Sequence, residues 1–209
     1  MATLIQTRVA RRQEQRSRRY RWWRETGIVV IVALIAALLL RTFVVQTFFI
    51  PSGSMEPTLQ IGDRILVNKL SYHLHGVDRG NIVVFRRPAD ENCGGQPVAD
   101  LVKRVIGLPG ETISLTRGSG VAGGYVLIDG KRLAETWLPS SVQGKTYPGP
   151  AGTTYNLTKP YKIPANHYFV MGDNRTDSCD SRYWGPIARS LIVGKVDVRV
   201  WPITGIRFF

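Results

Sequence analysis

The chain has 209 residues, room for one core-bearing domain and little more. Its net charge is +13, which on its own would point to nucleic acid. The distribution argues against that partner, because eight arginines (Arg8, Arg11, Arg12, Arg16, Arg18, Arg19, Arg21, Arg24) crowd the first 25 residues against two acids, Glu14 and Glu25. Directly after this head comes "TGIVVIVALIAALLL", Thr26 to Leu40, with no charge. Arginines massed on one flank of an apolar helix are the positive-inside mark of a membrane anchor, and Trp22 and Trp23 stand where an interfacial aromatic belt belongs.

The uncharged run is shorter than the ~20 residues a span needs. Extending it from Trp23 to Phe43 supplies the length, and Arg41 can snorkel to the far interface. The expected organisation is therefore a basic cytoplasmic tail over 1–22, one transmembrane helix over 23–43, and an extracytoplasmic domain over 44–209. A cleaved secretory signal is the alternative. It lacks a nearby small-x-small site, and Phe43, Phe48 and Phe49 are bulky.

Beyond the anchor the pattern is strand. "DRILVNKL", "GNIVVFRRP", "DLVKRVIGLPGE", "HYFVMGDNR" and "SLIVGKVDVRVWPI" are rich in Ile, Val, Leu and Phe and bounded by Gly and Pro. "YVLIDGKRLAE" is two short runs around Asp129-Gly130, a hairpin signal. No long 3.6-residue period follows the anchor, so the fold expected is mainly β: one transmembrane helix, then an all-β domain. Residues 117–161 are loaded with Gly, Pro, Ser and Thr and read as an excursion outside any site.

The stretch "IPSGSMEPTL" carries Ser52 and Ser54 beside a glycine and a proline turn. A serine nucleophile needs a base. His73 and His75 in "YHLHG" would face one side if they lay on a strand, a spacing that can hold a metal, but no acid or thiol cluster nearby completes a shell. His167 could build a Ser-His-Asp triad. The other base is lysine, whose ordinary pKa of ~10.4 must be lowered by burial. Lys103 lies in the strand "LVKRVIG", with Leu101 and Val105 on its own face and Arg104 on the other. A third polar stretch, "MGDNRTDSCDSRYWG", offers Ser178 and Ser181 as hydroxyls to orient a neutral lysine.

Five stretches, "PSGSMEPTL", "GDRILVNKL", "GNIVVFRRP", "KRVIGLPGE" and "GDNRTDSCDSRYWG", resemble in order those of the type I signal peptidases. These are membrane-anchored serine proteases with a Ser/Lys dyad on an all-β fold. The resemblance implies Ser54 as nucleophile, Lys103 as general base, and the Ser52 hydroxyl with the Ser54 amide as oxyanion hole. Ser178 would hydrogen-bond the lysine, and Asp173, Arg104, Asp180 and Arg182 would support the site, Asp173 pairing with Arg104. Ile50, Pro51, Met55, Leu59, Leu101 and Val102 would line pockets for small residues at the first and third positions before the cut. The implied partners are signal peptides of exported preproteins and the lipid bilayer, with no nucleic acid, no cofactor and no metal. The implied place is the plasma membrane, single-pass. Asn81 stands where the family usually has an aspartate after the glycine, and some members carry two spans.

Two rival functions remain open: a Ser-His-Asp hydrolase using His167, and an inactive binding module on the same fold. The sequence sets no oligomeric state. Cys93 and Cys179 both lie in the expected extracytoplasmic part, where pairs tend to be bridged. Cys93 precedes the Lys103 strand and Cys179 follows Ser178, so a Cys93–Cys179 disulfide is expected near the site, the alternative being two free thiols.

Overall fold

The computed structural model describes residues 22–38, 44–91, 93, 94, 98–116 and 123–209. Two compact units are present, Met1–Val44 and Val45–Phe209. In the first, residues 22–38 form a helix, α1. From Thr26 on it carries no charged residue, and its large side chains are exposed, among them Trp22, Trp23, Ile28, Val29, Leu34 and Leu38. No helix among the described residues is long and apolar enough to cross a membrane. The predicted span runs on to 43, and both its last residues and most of the arginine head lie outside the described residues.

The second unit is mainly β. Among the described residues its strands are β1 (Val45–Phe49), β2 (Arg64–Asn68), β3 (Ile82–Arg86), β4 (Asp100–Gly107), β5 (Thr112–Leu115), β6 (Val126–Ile128), β7 (Lys131–Arg132), β8 (Tyr161–Lys162), β9 (His167–Met171), β10 (Ile187–Ala188), β11 (Ile192–Trp201) and β12 (Arg207–Phe208). The larger sheet runs β1-β2-β11-β3-β4-β9-β10, with β12 added to β11. The smaller runs β7-β6-β5-β8, and its hairpin turns at Asp129 and Gly130, both at positive φ, as the Asp-Gly pair predicts.

Strand β3 shows why the central run is unbroken in apolar residues. Ile82 and Val84 face one core cluster with Ile50, Met55 and Leu59. Val83 and Phe85 face the other, with Val105, Val170 and Trp184. Both sides of the strand are covered, so period-2 alternation of polarity disappears. A third cluster joins the sheets: Ile106, Phe169 and Met171 pack with Ile113, Val126 and Ile163.

The "YHLHG" segment departs from its strand reading. Ser71–Leu74 is a helical turn, α2. The Asn68 side chain accepts from the backbone amides of Leu70 at 3.0 Å and Ser71 at 3.2 Å, which turns the chain out of β2 and starts the helix. His75 caps its end, exposed.

Candidate active site

Lys103 is set by its strand. On β4 it pairs with Val83 of β3, and its same-face neighbours Leu101 and Val105 join the apolar cluster around Val83 and Phe85. Its side chain is buried, at 4% exposure. Ser54 comes from the other direction. Ile50 is pinned by paired backbone bonds, its amide to Asp63 and its carbonyl from Gly62, both 2.9 Å. The chain then makes a single 3₁₀ turn, Gly53–Met55. Met55 plugs this turn into the core, and Leu59 anchors the next one.

The two groups meet: Lys103 Nζ and Ser54 Oγ form a 2.5 Å hydrogen bond. Burial is the largest influence on the amine and lowers its pKa to about 8; Asp180, Glu91 and Asp173 pull it back up, while Arg182 pushes it further down. Desolvation of a cation thus outweighs three nearby carboxylates.

Behind the dyad stands a set of buried ions. Arg104, on the opposite face of β4, grips Asp173 with two bonds of 2.8 and 2.6 Å and gives a third to the Gly80 carbonyl at 2.6 Å. Thr58 donates to the same Asp173 carboxylate at 2.5 Å. Asn174, next in sequence, holds the nucleophile turn: its amide donates to the Ser54 carbonyl at 3.1 Å and its side chain to Gly53 at 3.2 Å. The base strand and the nucleophile turn are therefore tied to one loop. Asp180 caps the short helix α3 (Ser181–Trp184) and binds Arg182 through two bonds of 2.8 and 2.6 Å. Burial pushes the Asp180 carboxyl up, but Arg182 and the Gly172 amide outweigh it and hold the pKa below the usual range.

Other residues named from the sequence fall differently. Ser52 flanks the 3₁₀ turn, exposed and extended, and its side chain makes no capping bond. Ser178 does not hydrogen-bond Lys103 as the resemblance implies. Its hydroxyl is buried without a hydrogen-bond partner among the described residues, close against Gly172. Of the expected pocket residues, Ile50, Met55 and Leu59 are packed core beneath the turn at 2% exposure or less, and Pro51 is exposed. Val102 packs on their cluster while Leu101 packs on the opposite one, because neighbours on a strand point to opposite faces. His167 begins β9, at the far end from Gly172, and its Nδ1 lies 2.8 Å from the Ala165 carbonyl. Cys93 and Cys179 are bonded to each other, Cα atoms 6.2 Å apart. They join the loop before β4 to the loop before α3. Glu91 lies beside the bridge.

Several site-forming residues escaped the sequence reading. Gly172, Asn174 and Arg175 sit in the polar run that was singled out, without assigned roles. Thr58 and Glu135 carried no signal. The excursion, read as separate from any site, in fact seats against it. Glu135 pairs with Arg175, both buried, and the Tyr147 carbonyl accepts from Arg182 at 2.7 Å.

Once neutral, a buried amine in contact with a serine hydroxyl can take its proton and free an alkoxide for attack on a carbonyl. A β domain carrying such a contact has the makings of a serine–lysine hydrolase. The comparisons then give the particular family. Residues 23–201 match the family described as signal peptidase, peptidase S26. Signal peptidase I of Leptolyngbya laminosa is 41% identical over 180 residues, 85% of this chain and 79% of that one. Signal peptidase I of Bacillus caldolyticus is 35% identical over 203 residues, 96% and 99% of the two chains. That of Bacillus amyloliquefaciens is 36% identical over 190 residues, 89% of each. The chain belongs to the signal peptidase family.

Proposed function

We propose that the protein is a membrane-bound serine endopeptidase that removes signal peptides from exported preproteins, with Ser54 as nucleophile and Lys103 as general base. The observation that carries this reading is the 2.5 Å contact between Ser54 Oγ and the buried Lys103 amine. In the neutral state Lys103 accepts the Ser54 proton as Oγ attacks the scissile carbonyl. The resulting ammonium gives that proton to the departing amine. Neutral again, Lys103 activates the water that hydrolyses the acyl-enzyme. The Ser54 amide and the exposed Ser52 hydroxyl supply the oxyanion donors, at about 3–4 kcal/mol per donor in comparable sites.

The substrate adds as a strand beside the segment before Ser54 and the strand of Lys103, its small residues filling pockets that the family resemblance assigns to Ile50, Pro51, Met55, Leu59, Leu101 and Val102. Residues 23–43 anchor the chain once in the membrane with the arginine head cytoplasmic, supported by the uncharged, exposed apolar surface of α1 from residue 26 on. The lipid bilayer is also a partner of the β domain. Phe49, Arg64 and Trp201 sit in one row across β1, β2 and β11, and Phe49, Ile61, Trp201, Ile203, Ile206 and Phe208 are all exposed.

Cleavage of a signal-peptide substrate by wild type, Ser54→Ala and His167→Ala tests the reading. The expected result is full activity for His167→Ala and none for Ser54→Ala. Loss of activity in both variants would point to a histidine-based triad, and an inactive wild type would leave a binding module.

A further inference from the structure

The smaller sheet and its flanking loops have no part in the mechanism above, yet segment 135–137 touches the site at two points. Glu135 pairs with Arg175, whose Nε donates to the Gly172 carbonyl at 3.0 Å. Both partners are buried, Arg175 completely. Two residues on, the Trp137 ring lies under the Arg104 guanidinium, 5.3 Å from carbon to centroid. The same ring covers Gly80, where an added Cβ would come within 3.2 Å of it. Gly80 is the third acceptor of Arg104. The Trp137 indole N–H is buried and makes no hydrogen bond among the described residues. Burying an unpaired donor is costly, so the ring holds this place through its face, against the cation.

Each arginine also donates to the loop that holds the nucleophile turn. Arg104 holds Asp173, Arg175 holds Gly172, and Asn174 between them holds the Ser54 and Gly53 carbonyls. Arg104 also follows Lys103 directly on β4. Removing the acid from a buried pair leaves the other charge uncompensated and free to seek new partners. Removing a ring that stacks on a guanidinium admits water and side-chain freedom.

We propose that Glu135 and Trp137 are positioning residues: together they clamp Arg175 and Arg104, and so fix the distance between the nucleophile turn and the base strand. The inference rests on the reading of Ser54 and Lys103 given above. The two residues act through the arginines and touch no reacting atom. Displacement of reacting groups by about 1 Å is enough to cost a large factor in rate.

The test is steady-state kinetics of the full chain in detergent, with wild type, Trp137→Ala, Trp137→Phe and Glu135→Gln, at a temperature well below each variant's melting point. Trp137→Ala is expected to lower kcat about tenfold while KM stays within about twofold of wild type. Trp137→Phe restores most of the loss, because a ring face remains. Glu135→Gln, which keeps the shape, lowers kcat in the same way, and it carries the test if Trp137→Ala does not fold. Wild-type kcat in both Trp137→Ala and Glu135→Gln, with only the melting point reduced, overturns the proposal. So does a loss expressed in KM alone, or a Trp137→Phe as slow as Trp137→Ala. None of these results touches the dyad, whose own test is Ser54→Ala.

Discussion

Lys103 is an ionisable group held where its charged form is disfavoured, and two consequences can be measured. First, the amine has a pKa of about 8, lowered chiefly by burial, so its neutral fraction grows as pH rises to that value. Cleavage measured as kcat/KM is expected to climb through pH 8 and then level. A limb centred near ~6.5, the ordinary histidine value, would point to another base. Second, the same burial costs stability. The unfolded chain holds this proton up to the ordinary pKa of 10.5, the folded one only to about 8. Below pH 8 the cost is fully present, and it fades as pH rises from 8 to 10.5, because there only the unfolded state is still protonated. Lys103→Met, similar in shape and uncharged, is therefore expected to be more stable than wild type at pH 7, by on the order of 3 kcal/mol before packing losses. Its advantage shrinks across that window. Denaturant unfolding of both proteins at pH 7 and pH 10 checks this, and a Lys103→Met protein less stable than wild type at pH 7 would contradict it.

At the scale of elements, the loop after β9 is the keystone, and its closest approach is at Gly172. A Cβ there would lie 2.2 Å from Ser178 Oγ and 2.3 Å from the Ser54 carbonyl. The second atom is backbone of the nucleophile turn and cannot turn aside. Gly172→Ala is expected to cost about 1–3 kcal/mol in stability and at least tenfold in kcat, read by denaturant titration and peptide cleavage; an unaltered kcat would refute the tight contact. The Cys93–Cys179 bridge spans 86 residues. Closing such a loop is worth about 4–5 kcal/mol in the chain-entropy model. Reduction is expected to lower the melting temperature, and a thiol count on the unreduced, unfolded protein is expected to find none; two free thiols would refute the bridge. The main strands were legible because Ile, Val and Phe cluster between glycines and prolines. Strand β1, "VQTFF", was not, since it follows the anchor and looks like its continuation. Helix α2 was not, because the Asn68 side chain decides it. Among site residues, Lys103 stood out as a charge in an apolar strand and Ser54 as a hydroxyl in a glycine-proline turn, whereas Asp173 and Arg182 were legible only through the family resemblance. Thr58, Glu135 and Trp137 were not legible. Each acquires its role from a partner far away in sequence, and burial of an ion pair is a property of the tertiary fold.

At the scale of the molecule, the exposed apolar residues of β11, β12 and the turn between them, with Phe49 and Ile61, form the face proposed to lie against lipid. A chain truncated to begin at Val44 is expected to need detergent or lipid for solubility and to be activated by it. Equal activity with and without vesicles would count against this face. Added protease is expected to reach the β domain in intact spheroplasts, and failure to do so would reverse the orientation. The whole account depends on a lysine that can lose its proton beside Ser54. The most direct measurement is cleavage of a signal-peptide substrate by Lys103→Arg across the pH range. A guanidinium keeps the charge and much of the reach but does not deprotonate. The account predicts no turnover at any pH; measurable turnover would contradict it.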